Sequence, residues 1–141
     1  MTSSGSRILA ASWAGTAVFA ITALAAVLMP ALDAVAFVVA VVLFVAGCVG
    51  FFAAYARGIA RSRRDQIAVT SLFLLAGSAP PAVRRSLLGS LAAEVIVALA
   101  TAISRPYTSL AAGTLVPLYG LALCGLWAAH HGTFPPRPDP R

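Results

Sequence analysis

The chain has 141 residues, of which 60% are hydrophobic and 10% charged, with a formal net charge of +6 and a mean hydropathy of +0.93. Soluble domains carry about 25% charged and 45–50% apolar residues, so a chain this short cannot hide its apolar surface in water and must be partly embedded in lipid. Ten arginines and no lysine supply the positive charge. We expect them to face anionic lipid headgroups rather than nucleic acid, because no zinc-finger, helix-turn-helix or RNA-binding motif accompanies them.

The first two spans follow from the lengths of the apolar runs. After a polar N-terminal segment, residues 1–7, an uncharged run of 22 residues covers 8–29, which as a helix is about 33 Å long and crosses a hydrocarbon core of about 30 Å. A cleaved signal peptide is the alternative, but its apolar region is usually about 7–15 residues long. The second run, 34–56, is rich in Val and Phe, and it is predicted to be a helix because an isolated strand cannot satisfy its backbone in lipid.

The stretch between the second and third spans is harder to assign. Residues 66–79 are apolar but only 14 in number before Pro80-Pro81, about 21 Å as a helix and too short to span comfortably. We predict a short interfacial helix, with a re-entrant piece as the alternative. A true span would place Arg84 and Arg85 on the outer side.

The remaining elements are two spans and a tail. The third span is predicted over 87–103 and the fourth over 110–129, with a kink at Pro117, which removes a backbone hydrogen bond. Residues 130–141 form a Pro/Arg-rich cytoplasmic tail that is expected to be extended and unpacked. The predicted fold class is therefore an all-α membrane protein with four transmembrane helices, residues 8–129, and a short interfacial helix between helices 2 and 3.

The arginines predict the orientation of this bundle. With both termini cytoplasmic, nine arginines lie inside and Arg105 alone lies outside, as the positive-inside rule requires. The expected location is the inner (plasma) membrane. Six arginines between the second and third spans are predicted to face headgroups: Arg57, Arg61, Arg63, Arg64, Arg84 and Arg85.

Glu94 is the candidate intramembrane polar site, because it is the only acidic residue inside a predicted span. An ionised carboxylate at the bilayer centre is costly, so the group must be protonated, paired or exposed to a wet cavity. It can serve a proton- or cation-coupled site. It can equally join helices through hydrogen bonds to Ser90, Thr101, Thr114 or Tyr119.

Other chemistry-bearing residues give weaker patterns. Cys48 and Cys124 each lie 14 residues after the outer start of their spans, which predicts thiols at the same depth, although cysteine is also an ordinary small buried residue. His130 and His131 close the fourth span without further ligands, so no metal site is predicted. No catalytic motif or metal-spaced acidic pair is found, and we predict neither a cofactor nor an enzymatic activity.

Three segments carry a resemblance: Arg105-Pro106-Tyr107-Thr108-Ser109-Leu110, Leu115-Val116-Pro117-Leu118-Tyr119-Gly120 and His131-Gly132-Thr133-Phe134-Pro135-Pro136-Arg137. Roughly the second half of the chain resembles small conserved membrane proteins of actinobacteria that have no known activity. The resemblance implies residence in an actinobacterial inner membrane and implies no substrate. Small multidrug-resistance transporters are similar in span number, but they place their essential glutamate in the first span, whereas Glu94 is in the third.

Two functions follow as expectations. The first is an accessory or scaffold subunit of a membrane or cell-envelope assembly, with small-residue helix faces presented to a membrane-protein partner or to a second copy. The alternative is a small oligomeric transporter or lipid-linked-sugar flippase that uses the intramembrane carboxylate of Glu94.

Overall fold

The computed structural model describes residues 3–138, and the ends of the predicted terminal segments (residues 1, 2 and 139–141) lie outside that range. The described part is helical, with no strand apart from one isolated bridge between Asp65 and Pro136. The helices are α1 (Ser3–Leu28), α2 (Asp33–Arg61), α3 (Val69–Phe73), α4 (Pro81–Ser104) and α5 (Pro117–His131). Two 3₁₀ segments, Pro30–Leu32 and Ser109–Leu115, precede α2 and α5.

Four helices are long and apolar enough to cross a membrane: Ser3–Leu28, Pro30–Arg61, Pro81–Ser104 and Ser109–His131. The prediction of an all-α chain with four helices of membrane-spanning length is confirmed. The third long helix, α4, begins at Pro81, six residues before the predicted span. Proline is favoured at the first position of a helix, so Pro81 can start it. Arg84 and Arg85 therefore belong to the first turns of α4 rather than to a preceding loop.

The bundle consists of two parallel helix pairs. Ser12 and Thr16 of α1 contact Ser90 and Glu94 of α4 in the same order, so these two helices run in the same direction. The pair formed by α2 and α5 is also parallel and has the most extensive interface in the bundle. Helix α1 also packs against α2 and α5, whereas α2 and α4 occupy opposite corners.

Small residues explain the close approach of α2 to α5. The buried face of α2 consists of Ala36, Ala40, Gly47, Gly50, Ala54 and Gly58. A Cβ placed on Gly47 would lie 2.7 Å from the Tyr119 backbone nitrogen, and one on Gly50 would lie 3.2 Å from the Ala122 Cβ. Small residues allow such contact between helix backbones. The small-residue face of α2 is thus used inside the chain, which leaves its bulky Val and Phe side chains exposed.

The loop between α2 and α4 packs into the bundle. Its only helix in the described chain is the five-residue α3, so the helix predicted over 66–79 is wrong in its length. Leu75, two residues after the end of α3, adopts a left-handed backbone conformation (φ 56°), and Gly77 follows with φ 72°, so the helix cannot continue. The Phe73 ring is buried and stacks on Phe51 at 4.6 Å. Phe51 is ten residues before the end of α2, so the loop reaches about 15 Å into the bundle.

An arginine–aspartate pair lies at each end of the bundle and also caps a helix. Arg61 contacts Asp65 at 3.1 Å and donates to the Ala129 carbonyl at 3.1 Å, near the end of α5. At the other end Arg105 contacts Asp33 at 2.7 Å and donates to the Ala26 carbonyl at 3.0 Å, near the end of α1. Cations at helix C-termini satisfy unpaired carbonyl groups and favour the helix dipole.

Of the predicted tail, His130 and His131 belong to α5, and residues 132–138 are non-helical but are not unpacked. The Gln66 N–H donates to the Pro135 carbonyl at 2.8 Å, and the Arg137 N–H donates to the Arg64 carbonyl at 2.9 Å. The tail therefore pairs with the loop between α2 and α4. The sequence could not show this pairing, because proline-rich composition predicts an extended backbone but not its neighbours.

Candidate functional site

Glu94 is completely buried near the middle of α4, 13 residues after Pro81 and ten before Ser104. Its two carboxyl oxygens contact different helices. Oε1 lies 2.9 Å from the Thr16 hydroxyl of α1, and Oε2 accepts a hydrogen bond from the Gly120 backbone N–H of α5 at 3.1 Å. One side chain therefore joins three helices at the centre of the bundle.

Further hydroxyl groups continue from this contact toward the end of the bundle at which α1 begins. The Thr16 hydroxyl lies 2.9 Å from the Ser12 carbonyl, the Ser12 and Ser90 hydroxyls are in contact, and Ser90 donates to the Leu87 carbonyl at 3.0 Å. We call Ser12, Thr16, Ser90, Glu94 and the Gly120 N–H the central polar cluster. Its four side chains are all buried.

Counting hydrogens indicates which form of the carboxyl fits. The Thr16 hydroxyl has one proton but two oxygen neighbours, the Ser12 carbonyl and Glu94 Oε1. When Glu94 is protonated, its O–H donates to Thr16, Thr16 donates to Ser12, and the other carboxyl oxygen accepts from Gly120. Every donor and acceptor in this part of the central polar cluster is then satisfied. A neutral carboxyl is also the less costly form in a low-dielectric interior.

The Gly120 N–H that donates to Glu94 lies three residues after Pro117, in the first turn of α5. The fourth span changes at Pro117 from the 3₁₀ segment to α5. Within the first turn of the new helix, the Val116 carbonyl accepts from the Tyr119 N–H at 2.8 Å, and N–H groups at a helix start lack full intrahelical pairing. The carboxyl of Glu94 supplies an acceptor there, at the positive end of the α5 dipole.

Glycine at position 120 is required by the closeness of the carboxyl. A Cβ at this position would lie 2.5 Å from Glu94 Oε2 and 3.2 Å from the Leu91 side chain. The adjacent Tyr119 needs the same kind of space, because its ring lies over Gly15 of α1. Its hydroxyl donates to the Ala11 carbonyl at 2.8 Å. The start of α5 is thus held by α1 and α4 through close backbone approach.

The partners of Glu94 differ from those the sequence suggested. Thr101 and Thr114 donate to carbonyls of their own helical segments at 2.8 and 2.7 Å, and Ser90 joins the cluster only through Ser12. The direct partner Thr16 was missed, although a signal was present. Ser12 and Thr16 have the same four-residue spacing as Ser90 and Glu94, which places matched polar pairs on the facing sides of two parallel helices.

The two cysteines are free, Cys48 partly exposed and Cys124 buried. The contacts of Gly50 with Ala122 and of Ala54 with Gly125 set the register between α2 and α5. In this register Cys124 lies about four residues, or about 6 Å, closer than Cys48 to the C-terminal ends of the two parallel helices. About half of this offset comes from the 3₁₀ segment at the start of the fourth span, which rises about 2.0 Å per residue rather than about 1.5 Å.

The arginines predicted to face headgroups lie at one end of the bundle. Five are exposed and Arg61 is partly buried. The Arg57 guanidinium contacts the His130 ring, and the Ser4 hydroxyl lies 3.1 Å from His131 Nε2. These contacts place the beginning of α1 and the end of α5 together at the arginine-rich end. Among the described residues, no three His, Cys, Asp or Glu side chains lie close enough to hold a metal ion.

No family model, curated protein or solved structure matches this chain. The predicted resemblance to actinobacterial membrane proteins therefore stays a prediction. Function must be inferred from the central polar cluster, from the helix surfaces and from the distribution of charge.

Proposed function

We propose that this chain is a small inner-membrane protein that acts as an accessory or scaffold subunit, with both termini and the arginine-rich end in the cytoplasm. The observation that carries the proposal is the closed surrounding of Glu94. Both carboxyl oxygens are used by groups of the same chain, and the side chain has no exposed surface. An acid used in this way holds α1, α4 and α5 together and presents no exposed oxygen to a substrate.

The outer face of α2 is the surface proposed to meet a partner. The second span has a mean hydropathy of 2.9, against 1.6–2.0 for the other spans. Only 17% of its apolar 18-residue stretch is buried inside the bundle. The small-residue faces are used inside the chain, so the contact surface consists instead of large β-branched and aromatic side chains. Val38, Val42, Val45, Val49 and Phe52 are representative, each more than half exposed.

The loop around α3 and the tail are proposed to lie at the cytoplasmic leaflet. Their backbone pairing forms a cap beside the exposed arginines, which favours contact with anionic headgroups. A single cysteine at the exposed position Ala76 tests this orientation, because it should resist a membrane-impermeant thiol reagent in intact cells in a Cys48→Ser/Cys124→Ser background. A cysteine at Thr108 should react. The reverse pattern would refute the orientation.

A photo-crosslinking amino acid tests the partner surface. Placed at Val42 or Val49 of α2, it should give one adduct of defined mass in the native membrane, whereas placement at Ile96 or Ile103 of α4 should give lipid adducts only. Both pairs are exposed apolar positions, so the α4 positions are the matched control. Equal protein adducts from both helices, or none from α2, would contradict a partner surface on α2.

A transporter is the second candidate, and the break in the fourth span favours it. Transporters often build their sites from discontinuous helices whose N-termini face polar groups at the midplane, and here the start of α5 faces Glu94. Glu94→Gln separates the two functions. The scaffold predicts an unchanged α2 adduct with this variant, since an amide retains hydrogen bonding. If instead a wild-type homodimer binds a substrate in a pH-dependent way, Glu94→Gln loses this binding and no partner adduct forms, the transporter is favoured.

A further inference from the structure

A cavity of about 720 Å³ lies between the start of α4 and the end of α5. Small-molecule pockets have volumes of about 300–1,000 Å³ and combine apolar walls with a few placed polar groups. This cavity has that character, with apolar side chains joined by two hydroxyls and one imidazole. Its lining residues are Ser78, Ala79, Pro80, Val83, Trp127, His131 and Thr133.

Trp127 supplies a hydrogen-bond donor that the chain itself does not use. Its side chain is only 4% exposed, and its indole N–H has no acceptor among residues 3–138. Buried indole N–H groups normally have a partner, because an unpaired donor in a low-dielectric interior is costly. The other tryptophan shows the usual arrangement: Trp13 is half exposed and donates to Ser86 at 2.9 Å. Trp127 also lines the cavity, so a molecule bound there can supply the acceptor that the chain does not.

Next to the cavity, in a region that we call its rim, the chain carries two arginines. Val83 lies in the first turn of α4, and the exposed Arg84 and Arg85 follow it directly. The backbone N–H groups of this first turn add the positive end of the helix dipole. On the opposite side, His131 ends α5. An occupant of this cavity therefore combines an anionic, hydrogen-bond-accepting part with an apolar part.

We propose that the cavity binds an anionic phospholipid, with its phosphate near the α4 start and the Trp127 indole N–H, and its upper acyl chain against the apolar wall. A free phosphate ion matches the rim but leaves the wall unfilled. A zwitterionic lipid matches the wall but brings its own cation to a basic rim. The location supports the same occupant, because the cavity lies at the arginine-rich end of helices long enough to cross a membrane.

Native mass spectrometry of delipidated protein in detergent tests the proposal, using dioleoyl phosphatidylglycerol and dioleoyl phosphatidylcholine at equal concentrations. The wild type should retain one phosphatidylglycerol in preference to phosphatidylcholine. Trp127→Phe keeps most of the ring but removes the donor, so affinity for phosphatidylglycerol should fall about tenfold, as expected for loss of one hydrogen bond to a charged group. Trp13→Phe is the control and should bind as the wild type does.

Three results would overturn the assignment: equal retention of the two lipids, unchanged phosphatidylglycerol binding by Trp127→Phe, or complete displacement of the lipid by inorganic phosphate. A fluorescence titration covers the case in which Trp127→Phe does not fold. In Trp13→Phe protein, Trp127 is the only tryptophan, and phosphatidylglycerol should shift its emission saturably while phosphatidylcholine and inorganic phosphate should not. A flat phosphatidylglycerol titration would also overturn the proposal.

Discussion

Replacing Gly120 by alanine should destabilise the bundle through Glu94. The added Cβ would lie 2.5 Å from Oε2 of Glu94, so the carboxyl must move away from the Gly120 N–H with which it is hydrogen-bonded. Overpacking of a well-packed core costs about 1–3 kcal/mol, and loss of the hydrogen bond adds about 1 kcal/mol. Alanine regains about 1 kcal/mol of helix propensity. The expected net loss is about 2 kcal/mol of unfolding free energy.

Gly89→Ala is the matched control for this substitution. Gly89 lies inside α4, and a Cβ there would meet only the Trp13 ring, at 3.8 Å, which is ordinary van der Waals contact. Only the helix-propensity term then remains, so this variant should be neutral or more stable by up to about 1 kcal/mol. Unfolding of both variants and the wild type in mixed micelles, followed by circular dichroism against denaturant, measures the difference.

A double-mutant cycle assigns the cost to the carboxyl. Glu94→Ala removes the group with which the new methyl would collide, so Gly120→Ala should cost much less in a Glu94→Ala background. Residues in direct contact typically couple by about 0.5–3 kcal/mol. If the Gly120→Ala loss is the same in both backgrounds, or if Gly89→Ala is equally damaging, then Glu94 does not set the requirement for glycine and the reasoning is refuted.

Two further predictions test the packing around α5. In a Cys48→Ser/Cys124→Ser background, the pair Gly50→Cys/Ala122→Cys should form an intramolecular disulfide on mild oxidation, because the two Cβ positions are adjacent. In the wild-type protein, Cys48 and Cys124 should stay unlinked because of their offset. A gel-shift assay of free thiols distinguishes these outcomes, and a native Cys48–Cys124 disulfide would contradict the register. Phe73→Ala should lower the unfolding free energy by about 3–5 kcal/mol and expose the loop around α3 to trypsin. Retained protease resistance would show that the loop does not depend on this buried ring.

The central polar cluster shows where sequence reasoning succeeds and where it ends. Glu94 stands out in the sequence because a charge in an apolar run is costly wherever the run lies in lipid. Its partner Thr16 is 78 residues away on another helix, and no local pattern specifies which helices are neighbours. No sequence pattern indicates that position 120 requires glycine, because this requirement depends on the close approach of Glu94 that only the packed bundle creates.

The loop around α3 shows the same limit. Its run of 14 mainly apolar residues predicts burial in an apolar environment, and the length argument excludes a comfortable span. A lipid interface and a neighbouring helix surface are both apolar, so composition does not separate them. The contact of Phe73 with Phe51 and the left-handed turn at Leu75 decide that the segment folds back against its own bundle.

The sequence alone determined the helical class, the four long apolar segments and the concentration of arginine at one end, because each depends on local composition and on the length needed to cross a bilayer. The tertiary structure alone decided the parallel pairing of α1 with α4 and α2 with α5, the three-helix junction at Glu94 and the unpaired Trp127 donor beside a cavity. These features depend on contacts between residues far apart in the chain, and such contacts are fixed only when small and large side chains on different helices fit together.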